Sequence, residues 1–293
     1  MQKIILLASL TLATIVHAED KPSTLTADTT STIAPAQAKK TEWLSGLKEP
    51  QGMAIYGKEI LLADYGAGKV LRYSREGKLL GTLAEGLKSP SQIVVGNKWV
   101  RSNRASQQLS LSPIIYVSER KANRIISIGS NGKITPVGQE IIEPLGLVSD
   151  GSALFAVAHT TSKILRFDGK NWQPFFVPAE DGRYGYRCLA YDKGTLLLSD
   201  EIGEEVLLLT QSGRIASWVE GIADPSGITI GPDGATYITD ESDGGRLWRV
   251  NNVGEKTVVV EGLGRPRGVL FLDPQTALVS DRNGKVWKIA LSK

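Results

Sequence analysis

Two motifs recur along this chain at a spacing near forty residues, and that period limits the possible folds more than any other feature. The first is a Pro, or Tyr in one copy, ahead of an apolar run. The residue after it is Gln51 (PQGMAI), Ser91 (PSQIVV), Leu145 (PLGLVS), Arg187 (YRCLAY), Ser226 (PSGITI) and Arg267 (PRGVLF), in steps of 40, 54, 42, 39 and 41. The second motif ends the next apolar run: Asp64, Glu119, His159, Asp200, Asp240 and Asp281, in steps of 55, 40, 41, 40 and 41. Two independent markers agree on six copies, and each has its one long step between Ser91 and Glu119. An insertion at 97–113 accounts for it.

Each copy reads as four short strands, a to d, as in GITIG, ATYITD, GRLWRV and EKTVVVEG of the fifth. Pro-Asp-Gly at 232–234 supplies a tight turn between a and b. Four strands per repeat at this period is the signature of a propeller blade. The last copy stops at its third strand, VWKIAL, while the segment KTEWLSGL at 40–47 matches the fourth strands RIASWVEGI and EKTVVVEGL. The expected fold is therefore all-β, a six-bladed propeller over 41–293. Its N-terminal strand completes the last blade beside 284–291 and covers an exposed strand edge.

The pattern P-x-G-h-x-h, then h-Y-h-(S/T)-D and a Gly-containing turn, resembles the NHL repeat and the senescence-marker-protein/gluconolactonase family, most closely at GPDGATYITD (231–240). This resemblance implies the same fold, on which lactonases, lyases and binding modules all occur. In the gluconolactonase-like relatives it implies a divalent cation such as calcium on the channel axis, held by an acidic residue and Asn/Asp side chains. Here the matching positions before Gly hold Leu145 and Ser226, poor substitutes for such ligands. Glu49 is displaced next to Pro50, so the acidic role is not carried over to it. Zinc-binding lyases of the NHL type use several His ligands, whereas this chain has His159 and Cys188 beyond its first eighteen residues. No cofactor is expected for the reading as a binding protein. The alternative is a metal-dependent lactonase-type hydrolase.

The N-terminus carries Lys3, an apolar run from Ile4 to Val16 and a small-residue site at Val16-His17-Ala18, the pattern of a cleavable signal peptide (1–18). Periplasmic or secreted placement follows. The single cysteine permits no internal disulfide. A Thr/Ala/Ser/Pro-rich stretch at 19–40 reads as a flexible linker. Without the signal segment, 33 basic residues stand against 31 acidic ones. So even a balance offers no footprint for nucleic acid. No membrane span is expected, and a monomer is the expected state.

Strand direction alternates within a blade, so both markers ring one mouth of the central channel, where propeller ligands bind. The aspartates that end strand b are expected to serve their turns by accepting backbone N–H groups. Glu119 and His159 take the same position with different chemistry and are ligand candidates. The inner ring offers Gln51, Ser91, Arg187, Ser226 and Arg267. Two planar guanidinium groups among neutral polar side chains suit a small anionic molecule, with Tyr186 and Tyr184 as a flat wall. A protein partner is the other candidate. Pairing of Arg187 and Arg267 with the Asp/Glu ring that ends the b strands, holding the blades together, is the competing expectation.

Overall fold

The structure, a computed structural model, describes residues 38–96, 113–129, 132–178 and 184–291. The signal-peptide reading, most of the linker and nearly all of the insertion lie outside them. Six four-stranded antiparallel sheets are arranged as blades. The innermost strands, a, are Pro50–Tyr56, Pro90–Gly96, Pro144–Ser149, Tyr186–Asp192, Pro225–Ile230 and Pro266–Asp273. Their b neighbours are Glu59–Asp64, Ile114–Glu119, Leu154–Ala158, Thr195–Asp200, Thr236–Asp240 and Thr276–Asp281. No helix among the described residues is long and apolar enough to cross a membrane.

The continuous apolar runs of the b strands follow from where the core lies. Side chains on a strand point alternately to its two faces, and each blade is covered by a neighbour on both. In Glu59–Asp64, Leu61 and Ala63 pack toward blade two, while Ile60 and Leu62 pack toward blade six. The core is thus divided into six apolar layers, one between each pair of adjacent blades.

The ring closes as the complementary ends require. The N-terminal strand, Lys39–Leu44, is antiparallel to Lys285–Ala290, with Lys39 opposite Ala290 and Thr41 opposite Lys288. It starts two residues before the expected boundary. Trp43, Leu44 and Leu47 add to the apolar layer between blades six and one. Leu47 N–H donates to the Gly284 carbonyl at 3.1 Å, and Lys285 pairs with Glu42 at 2.9 Å.

A second set of bonds joins the blades close to the axis. Ser280 Oγ accepts from Gly268 N–H at 2.8 Å and donates to the Gln51 carbonyl of the next blade at 2.6 Å. Ser118, Ser199 and Thr239 form the same clasp in blades two, four and five. Blades one and three have Ala63 and Ala158 there. The Gly of the P-x-G motif belongs to this contact. A Cβ at Gly52 would stand 2.5 Å from the Ser91 carbonyl oxygen, and one at Gly268 2.6 Å from that of Gln51. Only Gly lets neighbouring inner strands approach so closely.

Candidate functional site: the mouth of the channel

Pro50 lies opposite Asp64, and Pro90 opposite Glu119, so the starts of the a strands and the ends of the b strands share one face. All six inner-ring positions, Gln51, Ser91, Leu145, Arg187, Ser226 and Arg267, line one axial cavity of about 40 Å³. That is room for a few waters or one charged head group. The far end of the axis widens to about 390 Å³ between uncharged walls that include Val94, Leu147, Ile228 and Leu270. Charge chemistry is therefore confined to the mouth.

The outer marker residues do turn work. Asp64 accepts from Lys48, Glu49 and Ala67 N–H, and Asp200 accepts from Gly185, Ile202 and Gly203 N–H. Asp281 accepts from Arg265 and Asn283 N–H. Glu119 is wholly buried, bound by Lys88 N–H at 2.7 Å and Arg124 at 2.6 Å, and cannot reach a ligand. Tyr186 also departs from its expected role. Its ring is fully enclosed in the apolar layer between blades three and four, stacked on Tyr184 at 5.1 Å, so it forms no wall of the mouth. As the first residue of its strand, Tyr186 takes the place of proline, and its side chain turns into the interblade core. His159 does stand at the mouth. Its Nδ1 lies 2.9 Å from the Tyr186 carbonyl and its Nε2 3.8 Å from Glu201, and burial lowers its pKa.

The arginines are engaged. Arg187 bonds Glu201 closely and lies 3.3 Å from Glu241 and 3.9 Å from Asp224. Arg267 Nη1 donates to Glu241 Oε1 at 2.6 Å and to Ser226 Oγ at 3.1 Å. Gln51 Oε1 accepts from Ser91 Oγ at 2.8 Å. The arginines pair with Glu201, Glu241 and Asp224, which flank the expected Asp/Glu ring and are not its members, and they border the cavity. Arg267 Nε, buried, has no hydrogen-bond partner. Burial lowers the Arg187 pKa and pushes the Glu241 carboxyl up to about 7, against the pull of Arg187.

Glu241 was not among the candidates drawn from the sequence, and neither were its neighbours Glu201, Arg265 and Arg282. They occupy the columns flanking the two motifs. The residue after the second marker reads Tyr65, Arg120, Thr160, Glu201, Glu241 and Arg282. The residue before the first motif's Pro or Tyr reads Glu49, Ser89, Glu143, Gly185, Asp224 and Arg265. Both columns are rich in charge, and their members pair between blades: Arg282 with Glu49 at 2.7 Å, Arg120 with Glu143 at 3.2 Å, Arg265 with Glu241 at 3.4 Å. Reading the columns beside the motifs, instead of the motifs alone, is the signal that finds them. Among the described residues, no three His, Cys, Asp or Glu side chains converge as ligands of a metal ion.

No protein-family profile and no curated protein sequence matches the chain. Solved structures do match its shape. A gluconolactonase from Xanthomonas campestris superposes with a TM-score of 0.68 at 14% identity, over 87% of this chain and 90% of its own. Virginiamycin B lyase from Staphylococcus aureus gives 0.63 at 15%, over 87% and 100%. An auxiliary nutrient-binding protein from Bacteroides thetaiotaomicron gives 0.67 at 12%, over 88% and 78%. At such identities the likeness is one of fold. The chain is a six-bladed β-propeller of the architecture found in gluconolactonase and virginiamycin B lyase.

Proposed function

We propose that this protein is an exported binding propeller whose channel mouth takes the acidic group of a small anionic molecule. The fold is shared by a hydrolase, a lyase and a binding protein, so the side chains must carry the reading. One observation supports it above the others: six equivalent positions, one per blade, border a single cavity whose charged lining residues are Arg187 and Arg267. Guanidinium groups present paired donors suited to carboxylate or phosphate oxygens. Gln51, Ser91 and Ser226 add neutral polar groups, and His159 lies beside them on the rim. Export rests on Lys3, the apolar run behind it and the Val16-His17-Ala18 site.

A cation-dependent lactonase draws less support. The Leu145 side chain offers no ligand atom and its carbonyl accepts from Ser118, Ser226 Oγ accepts from Arg267, and a divalent ion on this axis would face two arginines.

Thermal shift against citrate, phosphate and sugar acids tests the proposal. A ligand at roughly a hundred times its Kd adds about 2.7 kcal/mol, so Tm should rise by several degrees. Arg187→Ala and Arg267→Ala should each abolish the rise, with their own unliganded melting curves as reference. Equal shifts in all three proteins would overturn it.

A further inference from the structure

Glu241 follows the last residue of the strand Thr236–Asp240, and its side chain is 1% exposed. Four guanidinium groups surround it from the two neighbouring blades. Arg267 and Arg187 lie 2.6 and 3.3 Å from Oε1; Arg265 and Arg282 lie 3.4 and 3.9 Å from Oε2. Oε2 is buried without a hydrogen bond. The other charges facing this group are Asp224 and Glu201 against Arg187, with His159 beside Glu201, and Glu49 against Arg282; Arg120, itself paired with Glu143, also acts on Arg187. Apart from the Arg120–Glu143 pair and the imidazole, four guanidinium groups thus meet four carboxylates.

An entering anion would leave that balanced cluster one negative charge in excess, in a place with little water to screen it. Such an imbalance is costly. The balance returns if one carboxylate takes up a proton. Glu49 and Glu201 are 20% exposed and Asp224 is 35%, so Glu241 is the one most deprived of water. Its neutral form also leaves Arg267, which borders the cavity and has Glu241 as its carboxylate partner, short of a counter-charge, while Arg187 beside it keeps Glu201 and Asp224.

We infer that Glu241 is a specificity-determining residue of the mouth: its carboxylate stands in for the ligand's acidic group, and an anion binds as Glu241 becomes protonated. The step balances as ionised Glu241, one anion and one proton giving neutral Glu241 with the anion bound. Burial already favours the neutral form, with a pKa of about 7. The inference rests on the anion-binding reading. It adds that ligands are admitted with a proton and that neutral molecules of the same shape gain nothing from the arginines.

Isothermal titration with D-glucuronate, which stays ionised from about pH 6 to 8, tests it in the intact protein. Runs in two buffers of different ionisation heat report proton uptake. For the wild type, affinity should fall about tenfold per pH unit above 7, with close to one proton taken up per anion at about pH 8. Glu241→Gln should bind at about pH 8 at least roughly tenfold more tightly than wild type, with no uptake. Binding by both proteins with equal affinity and no uptake overturns the role of Glu241 while leaving the anion site in place. No binding by either at any pH overturns both. If Glu241→Gln does not fold, the proton counts of the wild type and of His159→Gln decide together, since uptake that persists without the imidazole belongs to a carboxylate and uptake lost with it overturns the role of Glu241.

Discussion

At Glu241 burial and four guanidinium groups pull the carboxyl in opposite directions, and burial prevails. The consequence for stability has a definite sign. The unfolded chain releases this proton near 4.5 and the folded protein near 7. Between those values the folded state holds the extra proton, so its stability declines as pH rises through that window. A shift of this size is worth on the order of 3 kcal/mol. Carboxyls held low by their partners, such as Glu143 by Thr160 and Arg120, act at more acidic pH, while His159, its pKa lowered by burial, adds a slope of opposite sign below 6.5 that the wild type and Glu241→Gln share. The wild-type urea midpoint should therefore fall across the window relative to that of Glu241→Gln at the same pH; parallel curves would show that the carboxyl is not perturbed. The charge at this position was on view in the sequence, but its burial was not. Glu241 looks like any acidic turn residue until Arg187 and Arg267 arrive from neighbouring blades.

Among the elements, the contact between a b strand and the next blade's inner strand turns separate sheets into a ring. The Ser280 hydroxyl satisfies Gly268 N–H and the Gln51 carbonyl together. Ser280→Ala should cost about 1–3 kcal/mol, because two buried backbone groups lose a partner. Gly268→Ala should cost a similar amount by steric contact with the Gln51 carbonyl. Chemical denaturation measures both, and a cost below about 0.5 kcal/mol for either would place the joint elsewhere. The P-x-G spacing was readable as punctuation. Its cause was not, since the atom that excludes a Cβ at Gly268 belongs to a residue more than two hundred positions away.

For the whole molecule, closure joins the first described strand to the last. Removing the chain through Leu44 should bare the edge of Lys285–Ala290 and uncover the layer around Trp43 and Leu47. The truncated protein should melt at lower temperature and self-associate, as unpaired strand edges do. Light scattering alongside a melting curve would show it. Trp43→Ala, which keeps the strand and removes its half-buried ring beside Tyr73, should cost about 2–3 kcal/mol and leave the protein monodisperse.

The period, the four-strand composition of each repeat and the match between the two chain ends are local patterns, and they determined the number of blades and the manner of closure. Local pattern suffices there because each blade repeats the same strand alternation and the same turns. The mouth depended on the tertiary structure. Which arginine meets which carboxylate, why Tyr186 and Glu119 turn away from the channel and why Glu241 loses its water are set by the distance between blades. A sequence lists residues in order, and those charges meet across the gaps between blades, as Arg187 meets Glu241 and Arg282 meets Glu49.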